Sequence, residues 1–187
     1  CIEGELTLRD GIQVYEQYKY VVGKGCRFET ISSAIEYIEH RNHKQVTIIH
    51  IRNNKEYSES ICITSSNVSL IGEQGGVHIF GQIYYSCESE EPGIIHLENI
   101  IFHSTNTSIF NEEKPYNFII PQQKLNIYSC TFHNSILRIS ESLSCSLRDI
   151  QFKNSTFYIQ SQEPSQMRDI LFLRKNNLKS DKEIKKT

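Results

Sequence analysis

The residues best suited to chemistry in this 187-residue chain stand in pairs at fixed spacing. Asp149 and Asp169 lie twenty residues apart, each inside the string Arg-Asp-Ile. Two carboxylates brought to about 5 Å titrate as a coupled pair, and such a pair can hold a cation or share a proton. The competing reading makes them polar turn residues whose charge Arg148 and Arg168 offset. His103 and His133 each follow a phenylalanine. Imidazoles bind transition metals when several ligands converge, and two solvent-facing histidines without a third partner do not converge, so neither metal nor cofactor is expected. Tyr84, Tyr85 and Tyr116 fall in segments read as loops, where tyrosine can stack on a sugar or anchor a protein partner. The cysteines Cys1, Cys26, Cys62, Cys87, Cys130 and Cys145 form no CxxC pair and read as buried thiols rather than a disulfide framework.

Whether these side chains meet depends on the elements that carry them, and an internal repeat supplies those elements. Leu97 to Phe102, Ile127 to Phe132, Leu147 to Phe152 and Met167 to Phe172 superimpose without gaps, their phenylalanines recurring 30, 20 and 20 residues apart. The first place is aliphatic or Met, the third is Asn99, Ser129, Asp149 or Asp169, and the sixth is Phe102, Phe132, Phe152 or Phe172. Apolar residues at places one, four and six fit neither an uninterrupted strand nor one helix face. They fit two short strands meeting at a corner, where a short polar residue tolerates the left-handed conformation. Ile136 to Ile139 and Thr156 to Ile159 repeat the same spacing as a third strand, placing Leu137 over Phe157 and Ile139 over Ile159.

The period of about 20 residues predicts an all-β fold, a right-handed parallel β-helix of three sheets. Its interior files would be the four phenylalanines, and its polar ladder Asn99, Ser129, Asp149 and Asp169. Upstream, Val46 to Ile51, Ser60 to Ile63, Val68 to Ile71 and Val77 to Phe80 read as short strands. Thr30 to Glu39 sets Ile31, Ala34, Ile35 and Ile38 on one helix face, with Thr30 or Ser32 as N-cap, and such a helix would cap the open end of the sheets. Residues 1–19 are read as an N-terminal segment, 20–177 as the β-helix domain and 178–187 as a polar tail. Gln82 to Gly93 and Thr107 to Gln123 are read as loops.

A formal net charge of -2 leaves no basic field for nucleic acid or an anionic membrane, and no apolar run approaches the roughly 20 residues of a membrane span. The chain opens on Cys1, so it reads as a processed chain or a portion of a longer one, with the compartment open. Secretion is one option, and the sequons at Asn67, Asn106 and Asn154 are no more than chance supplies.

Val21-Val-Gly-Lys-Gly25, Phe28-Glu-Thr-Ile31 and Ala34-Ile35 resemble the opening of the pectinesterases, and the likeness continues through Tyr57-Ser-Glu59, Val68-Ser-Leu-Ile-Gly72 and Ile79-Phe-Gly81. Ile127 to Phe132 is similar to the family's Phe-Tyr-Asn-Cys-Ser-Phe strand. The resemblance implies the pectin-lyase-like β-helix. In that family a Gln-Asp pair supplies the general acid, and a second Asp is the nucleophile. Here the first pair falls on Ile136 and Leu137 and the second Asp on Phe157, while the family's substrate-clamping Trp has no counterpart in a chain without tryptophan. Ester hydrolysis by two carboxylates with separate roles therefore lacks both.

The sequence thus predicts no catalytic residues and a non-catalytic β-helix scaffold for protein interaction or assembly, its partner or other subunit docking on the C-terminal rung. The alternatives are a carbohydrate-binding module with polysaccharide as ligand, and a divergent carbohydrate-active enzyme. Tyr84, Tyr85, Tyr116, His103 and His133 are the candidate surface contacts.

Overall fold

The structure, a computed structural model, describes residues 20–39, 46–63, 67–85, 93–103, 116–119, 124–142, 144–161, 166–173 and 178–180. The N-terminal segment 1–19, Cys1, Cys87 and the sequon residue Asn106 lie outside them, as do the side chains of Tyr116 and Phe172.

One helix and many short strands make up the described chain. The first strand, β1 (Tyr20–Val22), is followed by α1 (Ile31–Glu39). Next come β2 (Thr47–Ile51), β3 (Ile61–Ile63), β4 (Val68–Gly72), β5 (Val77–Phe80) and β6 (Ile83–Tyr85). The middle of the chain forms β7 (Ile94–Glu98), β8 (Ile100–His103), β9 (Tyr116–Ile119), β10 (Lys124–Tyr128) and β11 (Thr131–His133). The chain continues through β12 (Ile136–Ser142), β13 (Ser144–Lys153), β14 (Thr156–Ser161), β15 (Gln166–Leu173) and β16 (Leu178–Ser180).

The ladders between these strands are parallel. β13 is long enough to serve two ladders: Ser144 to Arg148 pair with β10, and Gln151 to Lys153 pair with β11. One ten-stranded sheet results, ordered β1-β2-β4-β7-β10-β13-β11-β8-β5 with β15 also on β13; a six-stranded sheet runs β16-β14-β12-β9-β6-β3. Parallel sheets of this kind bury alternate residues as like-on-like files. Backbone register places Phe102 beside Phe132, Phe132 beside Phe152, and Phe152 beside Phe172. The rings of Phe102, Phe132 and Phe152 stack at centroid separations of 5.0 and 5.3 Å. Leu137 pairs with Phe157 and Ile139 with Ile159, as the twenty-residue spacing requires.

Helix α1 buries Ile31, Ala34, Ile35 and Ile38, the face its sequence pattern predicts, and packs on β1, β2 and β3. Its start is held twice. The Thr30 hydroxyl accepts from the Ser33 amide at 3.2 Å, and the Glu59 carboxylate accepts from the Ile31 and Ser32 amides, each at 2.9 Å. A carboxylate is favoured there because the first helical amides lack internal partners and carry the positive end of the dipole.

Two glycines mark close approaches of neighbouring chain segments. A Cβ on Gly72 would collide with the Asn99 carbonyl, and one on Gly81 with that of Glu59.

The loop expectation needs correction for Gln82 to Gly93 and Thr107 to Gln123, because β6 and β9 lie within them. These two strands, three and four residues long, are too brief to show a period against their polar flanks. Strand β16 pairs with β14 from Leu178 to Ser180, so the six-stranded sheet extends into the segment read as a tail. No helix among the described residues is long and apolar enough to cross a membrane.

Candidate functional site

The corner residues adopt the conformation their type suggests. Asn99, Ser129, Asp149 and Asp169 have φ of 55°, 50°, 55° and 54°. A polar side chain at such a bend bonds locally and tolerates the left-handed region, where a Cβ otherwise crowds the following carbonyl. The Asp149 carboxylate lies 3.5 Å from the Arg148 guanidinium, both half-exposed. Asp169 occupies the equivalent bend of the next strand, also exposed. A second corner passed unnoticed in the sequence: Asn134 and Asn154 have φ of 50° and 51°. Just inside it the buried hydroxyls of Ser135 and Ser155 form a ladder, the Ser155 oxygen accepting from the Ser135 amide at 3.1 Å. The signal was available as Asn-Ser repeated at a spacing of twenty.

At the two places where the resemblance puts catalytic carboxylates, Leu137 and Phe157 are fully buried, and Ile136, at the place of the family's Gln, is half-buried. The Phe157 ring stacks on Phe152 at 5.3 Å, so this position is part of the apolar interior.

The densest grouping of titratable rings lies on the outward face of β5, β8 and β11. Register aligns Phe80, His103, His133 and Lys153 in one file. Phe80 covers one face of His103 at 4.4 Å between centroids, and His133 covers the other at 4.9 Å. His78 completes the group from two residues before Phe80, its Nδ1 3.0 Å from Nε2 of His103. The ring planes differ by 13° with centroids 5.1 Å apart, the geometry of rings side by side sharing one N–H···N bond. His103 is thus fixed on both faces and one edge. Burial lowers the pKa of His103, reinforced by His133 and His78 and opposed by Glu56. Burial also lowers that of His133, reinforced by Lys153 and His78. Both rings are neutral near neutral pH, and each added proton meets cationic neighbours. Sequence reasoning found His103 and His133 and missed His78, because β5 is joined to β8 by a spacing other than twenty.

A further outward cluster joins His96, Glu98, Tyr128 and Arg148. His96 Nε2 meets Glu98 Oε2 at 2.9 Å, and its ring sits edge-on to Tyr128 at 5.1 Å. The Arg148 guanidinium lies over the same Tyr128 at 4.6 Å. These contacts give the polar groups partners and cover the aromatic face, which is how an outward sheet surface satisfies itself. Among the described residues no group of three or more His, Cys, Asp or Glu is placed to hold a metal ion.

The tyrosine expectation divides. Tyr84 is exposed on β6, beside Cys62 of β3 in the strand register. Tyr85, one residue on, is buried at 3% exposure and is not a surface contact. Successive strand residues face opposite ways, so two adjacent tyrosines on a strand cannot share one surface. Register continues outward from Tyr84 past Asn117 to Arg138 and Tyr158, with Arg138 5.3 Å from the Tyr158 ring centroid.

Cys130 and Cys145 are buried free thiols, their pKa values pushed up to about 12 by burial, and Cys62 is a half-buried free thiol. Cys26 departs from the buried-thiol reading, being disulfide-bonded. No protein family, no curated protein and no solved structure matches the chain.

Proposed function

We propose that the chain is a right-handed parallel β-helix of the pectinesterase-like kind that has kept the scaffold without the chemistry. It acts as a non-catalytic module for protein interaction or assembly, engaging its partner through the C-terminal rung. The observation that carries this reading is the contrast between β13 and β15, the last two strands of the interior files. Leu147 and Ile150 are buried, whereas Met167 and Ile170, their equivalents on β15, are only partly buried. An incompletely covered interior beside a strand edge invites docking. The apolar residues at the expected acid and nucleophile places, Leu137 and Phe157, and Ile136 at the place of the family's Gln, support the non-catalytic half. The test is activity on esterified and de-esterified pectins together with mass measurement in solution. No turnover combined with a defined complex is the expected result. Turnover that disappears in an Asp149→Asn, Asp169→Asn double variant would overturn it.

A second reading, a carbohydrate-binding module, is favoured by the outward file of Tyr84, Arg138 and Tyr158. Aromatic faces and a guanidinium on a long flat sheet suit sugar rings and their hydroxyls. Binding on a glycan array, lost in a Tyr84→Ala, Tyr158→Ala variant that still folds, would establish that reading in place of the first.

A further inference from the structure

We propose that the free edge of β15 pairs, antiparallel, with β15 of a second copy of this chain about a two-fold axis between Arg168 and Asp169. The inference rests on the scaffold reading above and names its partner.

β15 pairs with β13 along one edge, and among the described residues no strand pairs with the other. A free parallel edge carries unpaired amides and carbonyls, which a further strand satisfies. Which strand fits is decided by the pattern Met167-Arg168-Asp169-Ile170. The corner at Asp169, with φ of 54°, brings Met167 and Ile170 to the same inward side, as Leu147 and Ile150 are on β13. Arg168 and Asp169 between them are both exposed. Read from either end the string is therefore apolar-inward, charged, charged, apolar-inward, with the two charges opposite.

Such a string complements itself when the second copy runs the other way. Residues directly opposite in an antiparallel pair point to the same face. With the axis between Arg168 and Asp169, each Arg168 faces Asp169 of the second copy. Met167 faces Ile170, inward on inward, and Gln166 faces Leu171, outward on outward. Leu171, 48% exposed, gains cover by this pairing. The axis also falls beside the bend, so the two corner residues lie next to each other across it and the strands bend together. A same-direction stack has neither property. It would set Arg168 on Arg168 if the ends matched, and a head-to-tail stack would need the opposite end of the sheets, where α1 packs on β1, β2 and β3. An interface that uses one surface on both copies closes at two.

The test is the solution mass of the 187-residue chain, by sedimentation equilibrium from about 1 to 100 µM. Twice the chain mass at the upper end is expected. Arg168→Asp and Asp169→Arg should each move the monomer–dimer midpoint about tenfold or more to higher concentration, because each places like charges opposite at two points. The double variant restores opposite charges and should return the midpoint toward that of the original. Arginine in the left-handed corner strains the backbone, so a second measurement stands beside the swap: a Gln166→Cys, Leu171→Cys variant should form a disulfide-linked dimer under oxidation, and neither single variant should do so efficiently. A monomer at every concentration overturns the inference, as does a failure of the cysteine pair to cross-link or a single charge swap that strengthens association. Those results would leave the scaffold reading standing, since its own failure is turnover of a polysaccharide.

Discussion

Replacing Asp149 separates a corner residue from a chemical one, and the structure fixes the size of the effect. Its φ of 55° lies where a side chain with a Cβ costs roughly 1–2 kcal/mol, with Asn and Asp tolerated and Gly free of the penalty. The contact with Arg148 is 3.5 Å and half-exposed, so it contributes well under about 1 kcal/mol and less in salt. Asn at position 149 keeps the local bonding and loses only that contact, so its stability should stay within about 0.5 kcal/mol. Gly removes the steric cost but adds chain entropy, leaving a small net change of either sign. Ala should lose about 1 kcal/mol, and Val about 2 kcal/mol because its branched side chain has no relaxed rotamer there. At this chain length each kcal/mol moves the melting midpoint by about 2–4 °C, so Val should melt about 4–8 °C lower and Asn almost unchanged. Circular dichroism melts at two salt concentrations read all four variants. If Gly is as damaging as Val, the backbone argument fails and a specific role for the carboxylate takes its place.

The histidine group predicts acid lability. Because His103 and His133 have folded pKa values below the unfolded value near 6.5, their contribution is fully present above that value and is lost as pH falls through it toward the folded values. Chemical denaturation midpoints between pH 8 and 5 should show this loss (roughly spanning the histidine range), and a His103→Gln, His133→Gln variant should flatten it; an unchanged slope would contradict the geometry. Glu59→Ala removes acceptors from the Ile31 and Ser32 amides and should cost about 1–3 kcal/mol, with Gln recovering part of it; equal loss for both would mean that charge, not hydrogen bonding, holds the helix. Thiol labelling of the native protein should find Cys62 reactive and Cys130 and Cys145 protected until unfolding, since burial raises both of the latter to about 12. Rapid modification of Cys130 in the folded state would refute the buried file.

What was legible in the sequence followed from repetition. Phe132 and Phe152 could be placed in one stack because stacked parallel strands need like residues at a constant spacing, and from Ile127 to Met167 a spacing of twenty occurs twice over; Phe102 joins them because the same six-place pattern surrounds it. The corner at Asn99, Ser129, Asp149 and Asp169 was legible for the same reason, since only short polar residues occupy a place where the chain bends between two apolar positions. The contacts that escaped are those that cross between unequal spacings. Glu59 reaches the Ile31 amide from 28 residues away, and His78 meets His103 from 25. Nothing in either local string marks them, because the partner is set by the path of a connection rather than by the period. Tyr85 was misplaced for a related reason: a three-residue strand carries too little alternation to reveal which of two adjacent tyrosines turns inward.

The same distinction bears on where function can lie in a repeating fold. Residues inside the period are constrained by their neighbours above and below: a carboxylate in the place of Phe157 would face Phe152 at stacking distance and lose its hydration without a partner. Side chains free of that constraint are those on the outward files and on the last strand of each sheet. On the outward files of β8, β10 and β13 the polar groups largely pair with one another, as His78 does with His103, His96 with Glu98, and Arg148 with both Tyr128 and Asp149. Surfaces that satisfy their own polar groups gain little from a polar ligand, because each new bond replaces an existing one. The edge of β15 differs, since its backbone groups and the inward sides of Met167 and Ile170 gain partners only from another chain segment. That asymmetry, more than any single residue, directs the search for a partner to the edge of β15 rather than to those outward files.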